Sequence, residues 1–309
     1  MDFSTNYTAR TDMADEILQG LYGDKGKTDD MVTFKTENFG KIKRETMWVK
    51  RDFVQGDVIK PKGKYVTVSV DEIKNFSRDD FEKAVSVVGK TIRDMLPEKK
   101  GLCLVVCLGN RNLVADAIGP FAGEKIIVSR HIKNHSIQLY ESMELGECAC
   151  ITTGVLGETG IEAAELVQSA VTKLKPSAVI AIDALASRRL SRLVRTVQIS
   201  DTGISPGSGV NNARSELSTR TLSVPVISVG VPTVVEAATV CIDVIREKSA
   251  DEKVMNEIER MLNESPANFF VTPKDADVYV KTMAKLIGFS VNRAMHDNMT
   301  FSEMEELLS

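Results

Sequence analysis

Two aspartates are the residues best placed to do chemistry in this chain, because each follows an apolar segment that reads as a buried strand. The first segment, Leu102-Cys103-Leu104-Val105-Val106-Cys107-Leu108, leads through Gly109-Asn110 to Asp116-Ala117-Ile118-Gly119-Pro120. The second, Ala178-Val179-Ile180-Ala181-Ile182, ends directly on Asp183. In an open α/β sheet the binding crevice lies at the carboxyl ends of the parallel strands, so two carboxylates delivered there can share one substrate. Each also has a structural reading. Asp116 can cap a helix beginning at Ala117. Asp183 is harder to dismiss, since a charge following an unbroken apolar strand is costly unless something stabilises it.

The other chemically interesting groups are weaker signals. Gly109, Gly119, Gly154, Gly157, Gly160, Gly203, Gly207, Gly209 and Gly230 fall at expected strand ends, where loops with bare amides can cradle a ligand. Tight turns explain any one of them equally well. Gly154-x-x-Gly157-x-x-Gly160 is not the Gly-x-Gly-x-x-Gly of dinucleotide sites, and no phosphate-binding P-loop is present. His131 and His135 stand four apart, a spacing that suits a metal, but Lys133 lies between them and a solvated helix end accounts for them better. His296 sits in a polar tail with no evident partner, and no histidine forms a recognisable triad with a nucleophile. Arg188, Arg189, Arg192 and Arg195 follow Asp183 closely, and at least one is expected to face the crevice. The stretch 200–212, with Ser205, Gly207, Ser208 and Gly209, is too long and too rich in Gly and Ser for a plain connection, so it reads as a functional loop. Its Asp201-Thr202-Gly203 matches pepsin-type proteases in three letters only; those enzymes are built from β-sheets and this chain is not.

The elements that must position these residues follow from periodicity. Tyr65 to Val70 alternates as a strand with one buried face, and short extended segments are expected near 31–34 and 47–54. Ser77-x-x-Asp80 opens a helix whose apolar residues Phe81, Val85, Val88, Ile92 and Met95 recur at helical spacing until Pro97. From Gly101 the pattern alternates strand, loop and helix: strands at 102–108, 147–152, 178–182, 194–200 and 224–229, helices at 117–129, 161–174, 233–247, 252–263 and 274–288. The fold class expected is α/β, a three-layer αβα arrangement with a mostly parallel central sheet, extra antiparallel strands near the amino terminus and carboxy-terminal helices. No linker divides residues 60–290.

Composition narrows the function classes. With 43% hydrophobic residues among 309 the chain can fill a substantial core. The 39 basic and 43 acidic residues leave a net charge of -4, which argues against nucleic acid or membrane as direct partner. The start lacks the features of a signal peptide, and the five cysteines lie mostly on expected strands or helices, so a reducing, cytoplasmic location is expected.

Taken together, the segments around Leu108-Gly109-Asn110 and Asp116, Thr153–Gly160, Ile182–Arg188, Ser205–Asn212 and Val229–Val234 resemble the germination proteases of endospore-forming bacteria, in order along nearly the whole chain. The resemblance implies a fold similar to hydrogenase-maturation endopeptidases and an endopeptidase that degrades small acid-soluble spore proteins during germination. It implies a homotetramer in the forespore and spore core, with no cofactor and no metal, made as a precursor that removes its own amino terminus. The stretch Arg10–Ile17 resembles the processing region, which places the expected cut at Glu16-Ile17 and divides the chain into a propeptide, 1–16, and one protease domain, 17–309. The family's catalytic aspartates fall on Asp116 and Asp183, with Gly109, Asn110, Gly154, Gly157, Arg188, Ser205, Gly207, Ser208 and Gly209 as substrate-binding or loop candidates. Which aspartate holds the proton is open. Two rivals remain: a metal-dependent peptidase of hydrogenase-maturation type, with Asp116, Asp183 and His131 as ligands, and a catalytically silent peptide-binding α/β domain.

Overall fold

Apolar runs with no polar interruption must be buried on both faces, and here they form the parallel half of one large sheet. The computed structural model describes residues 11–13, 16, 32–55, 58–98, 101–207, 215–246, 257, 261 and 269–308. Its strands are β1 (Val32–Phe39), β2 (Ile42–Val49), β3 (Phe53–Gln55), β4 (Val58–Lys60), β5 (Gly63–Ser69), β6 (Cys103–Leu108), β7 (Cys148–Gly154), β8 (Ala178–Ser187), β9 (Thr196–Ser200), β10 (Val226–Glu236) and β11 (Phe270–Val271). The helices that frame the core are α1 (Arg78–Arg93), α2 (Ile118–Gly123), α3 (Ala163–Leu174), α4 (Ala237–Arg246), α5 (Ala276–Met295) and α6 (Phe301–Leu307).

The main sheet runs β1-β2-β5-β9-β10-β8-β6-β7, with β11 beside the end of β10, while β3 and β4 pair separately. β10, β8, β6 and β7 are mutually parallel. β1, β2, β5 and β9 are antiparallel, and β9 joins the two halves by pairing antiparallel with β10. Alternation along each strand divides the core. Val105, Cys107, Ile180, Ile182, Val229 and Ile199 pack with α1, α2 and α5 on one face. Leu104, Val106, Val179 and Ala181 pack with Ala163, Val167 and Val171 of α3 on the other. This is the three-layer α/β architecture anticipated from the sequence.

The expected Ser77–Asp80 capping box is present. Ser77 Oγ accepts from the Asp80 amide at 3.1 Å, and the Asp80 carboxylate accepts from the Ser77 amide at 3.3 Å. Several boundaries moved. The strand expected to stop at 182 continues to Ser187, so Asp183 lies within β8. The helix expected over 117–129 is the short α2, and a separate helical stretch, Arg130–His135, follows it. Most of the helix expected over 252–263 lies outside the described residues. The helix expected to end at 288 runs on to Met295, and buried Phe289 and Met304 tie α5 and α6 into the core.

His296 corrects a further expectation. It has a partner: the ring is buried at the end of α5 and bonds through Nε2 to the Ile127 carbonyl at 3.0 Å. Burial pushes its pKa below the ordinary value, against smaller upward pulls from the Ile127 carbonyl and the Asp297 charge. An unfolded histidine takes up its proton near pH 6.5, whereas this folded one does so only at lower pH. Between those values the unfolded state binds more protons, so this residue's contribution to stability falls as the medium is acidified below about pH 6.5. The wild-type melting temperature is expected to drop from pH 7 to pH 5 more steeply than that of His296→Gln, and parallel profiles from thermal melts would refute this.

Candidate active site

The first aspartate is positioned by a tight departure from β6. Gly109 has φ +112°, and a Cβ there would stand 2.1 Å from the Asp116 carbonyl oxygen, so the chain can double back this closely only with glycine. The Asn110 amide donates to Asp116 Oδ2 at 2.9 Å and to the Asp116 carbonyl at 3.0 Å. Thr233 Oγ1 donates to the Ala115 carbonyl at 2.5 Å, tying the 3₁₀ turn Val114–Asp116 to β10. Behind it, Gly119 of α2 lies against the backbone of β6, where a Cβ would fall 2.0 Å from the Leu108 carbonyl oxygen. Asp116 is half-buried at the carboxyl end of β6. The N-cap position of α2 is Ala117 rather than Asp116.

The second aspartate is positioned by register. The last β6–β8 pair is Cys107 with Ile182, so Asp183 is the first residue of β8 beyond the reach of β6, while on its other side it pairs with Gly230 of β10. Its side chain is 5% exposed and accepts from the Ala184 amide at 2.9 Å through Oδ1. Neighbouring strands stand about 4.8 Å apart. Asp183, within β8, and the Asp116 turn, beyond the end of β6, therefore belong to adjoining strands of the parallel half-sheet.

Because β6 stops early, the edge of β8 beyond Asp183 is open, and the amino-terminal chain uses it. The Asp12 amide donates to the Ala186 carbonyl at 3.0 Å, and the Ala186 amide donates to Asp12 Oδ2 at 2.8 Å. Lys60 Nζ donates to the Asp12 carbonyl at 3.2 Å. Four residues later the Glu16 carboxylate, 3% exposed, accepts from Ser187 Oγ at 2.8 Å and from the amides of Arg188 at 2.7 Å and Arg189 at 3.3 Å. Thr11 Oγ1 adds a bond of 2.5 Å, and Arg192 Nε lies 3.5 Å away. A buried carboxylate is tolerated only with such a set of donors. Of the arginines after Asp183, Arg192 thus turns its guanidinium toward Glu16, and Arg188 and Arg189 contribute backbone amides.

The remaining candidates divide. Gly154 ends β7 with φ +66°, and the turn after it touches the Asp116 loop, where Asn112 Nδ2 donates to Glu158 Oε1 at 3.1 Å. Gly157 in that turn has open space where a side chain would go. Ser205 is exposed and Gly207 occupies a positive-φ turn with φ +73°. Ser208, Gly209 and Ile17 lie outside the described residues. His131 is exposed on the stretch Arg130–His135, and among the described residues no three His, Cys, Asp or Glu converge as a metal site. Burial pushes the Cys103 thiol up to about 12 and holds that of Cys148 well above its ordinary value, so both serve as small core hydrophobes. Asp12, Ser187 and Lys60 were not singled out in the sequence. Asp12-Met13 repeats the acidic-then-apolar pattern of Glu16-Ile17, a signal that was available.

A model of the germination protease family matches residues 11–248, a span that includes both aspartates, Asp12 and Glu16. The germination protease of Clostridium perfringens (strain 13 / Type A) is 35% identical over 98% of this chain and its own full length. That of Caldanaerobacter subterraneus subsp. tengcongensis is 38% identical over 97% of this chain and 98% of the relative. That of Clostridium tetani (strain Massachusetts / E88) is 36% identical over 98% of this chain and all of the relative. With the match running through both aspartate-bearing strands and the segment docked beside them, the chain belongs to the germination protease family and is a peptidase.

Proposed function

We propose that this chain is an endopeptidase that opens the degradation of small acid-soluble spore proteins during germination, and that Asp116 and Asp183 do the chemistry. The observation that carries the reading is Asp116 in the turn just beyond β6 and Asp183 on the neighbouring β8, with the chain's own acidic segment docked further along the edge of β8. Two carboxylates so arranged resist carrying two charges, so one holds a proton near neutral pH. The ionised member takes a proton from water as its oxygen attacks the scissile carbonyl carbon. The protonated member gives its proton to the carbonyl oxygen or to the departing nitrogen. The enzyme works as a homotetramer in the spore core.

The chain is also its own first substrate in this reading. Within the stretch Arg10–Ile17 two bonds join an acidic residue to a larger apolar one, Asp12-Met13 and Glu16-Ile17. Residues 11–13 are outside any helix and Asp12 is bonded to the β8 edge, whereas Glu16 has helical backbone and a buried carboxylate. Peptides add to sheet edges in extended form, so a helical bond must first unwind. That geometry favours Asp12-Met13 as the first cut and makes Glu16-Ile17 the second reading. Incubating the full chain and measuring its intact mass tests both: loss of residues 1–12 or of residues 1–16 supports self-processing at the corresponding bond. A mass that never changes, in a preparation that also leaves spore proteins whole, refutes the function proposed.

A further inference from the structure

The row of residues in register with Asp183 holds a second polar side chain that no group among the described residues satisfies. Asp183 on β8 pairs with Gly230 on β10, Gly230 pairs with Gln198 on β9, and Gln198 pairs with Thr67 on β5. Residues in register share a face, and Val197 and Ile199 belong to the opposite one, so Gln198 lies on the same face as Asp183. It is 6% exposed, yet neither Nε2 nor Oε1 has a hydrogen-bond partner. Its neighbours on that face are not so left: Ser200 Oγ bonds Ser228 Oγ at 2.8 Å and Thr202 Oγ1 at 3.1 Å. A primary amide buried with both its donor and its acceptor idle calls for a partner that the described chain does not supply, and a bound ligand can be that partner.

We infer that Gln198 binds the backbone of the peptide substrate, holding its register against Asp183; the inference rests on the endopeptidase reading above. Two strand spacings separate the residues, about 10 Å. Between them Gly230 contributes no side chain, and Leu185 covers it so closely that a Cβ on Gly230 would lie 2.5 Å from Leu185 Cδ1. Leu185 is thereby the apolar floor of a lane with Asp183 at one end and Gln198 at the other. An extended peptide advances about 3.3 Å per residue, so a scissile bond at Asp183 brings the peptide unit roughly three residues away to Gln198. There the side-chain amide donates to the peptide carbonyl and accepts from its N–H. Such a contact is blind to side-chain identity, and its chemical class of ligand is any extended polypeptide. Asp183, Leu185 and Gln198 are all buried.

The test uses the full chain, before and after any self-processing, acting on a synthetic peptide of residues 5–24. Gln198→Leu is expected to raise KM about tenfold with kcat within threefold, and to melt no lower than wild type because it removes an unsatisfied buried amide. Gln198→Met, closer in length, serves where the leucine variant does not fold, and Gln198→Glu, which keeps an acceptor, recovers part of the loss. N-methylating the peptide, one backbone position at a time, is expected to find a site about three residues from the cut. There wild type loses about tenfold in kcat/KM and Gln198→Leu loses nothing further. Unchanged KM in Gln198→Leu, or the same N-methyl profile in both proteins, overturns the inference. If wild type cuts nothing, the endopeptidase reading fails first. Calorimetric binding of the same peptide then decides on Gln198: about tenfold weaker binding by Gln198→Leu upholds it, and equal binding overturns it.

Discussion

Asp183→Asn is expected to lower kcat for peptide cleavage by at least about 10³-fold, equivalent to roughly 4 kcal/mol of transition-state stabilisation, with the fold intact. The substitution keeps the size of the side chain and an oxygen to accept from the Ala184 amide, so the contact that holds it within β8 survives. What is lost is the capacity to carry a charge or exchange a proton at the position β6 leaves open. The same change at Asp116 keeps the bond from the Asn110 amide and removes the partner carboxyl, so it should be equally silent structurally and equally damaging. Cleavage of the synthetic peptide and intact-mass analysis give the activity, and thermal melts give the fold. A well-folded Asp183→Asn protein that still cuts at a tenth of the wild-type rate or better would sink the aspartate mechanism.

The second large effect is expected from a backbone position. Gly109→Ala introduces a methyl group 2.1 Å from the Asp116 carbonyl oxygen and 3.1 Å from Asp116 Oδ1, at a φ of +112° that side chains rarely adopt. Strain of about 1–3 kcal/mol and overpacking of similar size combine, so a loss of about 2–4 kcal/mol in stability is expected. Relief of the clash must move the Asp116 turn, because Gly119 fixes α2 against the β6 backbone just behind it. A displacement near 1 Å in a catalytic group costs about 10²-fold in rate. The matched control is Gly157→Ala, which meets nothing within 4 Å and should change stability by no more than about 0.5 kcal/mol. Urea titrations of the two variants, with kcat measured on each, separate the glycine that shapes the site from the one that merely belongs to a nearby turn. Equal midpoints would remove Gly109 from the account.

The contrast between those two glycines shows where sequence reading runs out. Both belonged to one group of strand-end glycines, and nothing local distinguishes them, since the atom that makes Gly109 irreplaceable belongs to Asp116, seven residues on. Periodicity did better: the alternation in β5, the apolar runs of β6 and β8 and the capping box before α1 are local patterns, and each formed where expected. The two aspartates were legible for the same reason, as charges at the ends of apolar runs. The apolar run ending at Ile182 leaves out the last five residues of β8, because Asp183–Ser187 pair with β10 and hold the amino-terminal chain, neither of which spacing reveals.

By itself, the sequence determined the α/β class, the apolar strand that leads to Asp116 and the one that carries Asp183, and the helix signals flanking them, since burial period and capping are properties of neighbouring residues. The tertiary structure alone decided that β6 stops one residue short of Asp183 and that Glu16 is clasped by amides 172 and 173 residues away. It also decided that Gln198 shares a face with Asp183 across Gly230. Those facts depend on strand order and register, which arise when distant segments pack together, and no local pattern of residue types encodes which strand edge will be left open.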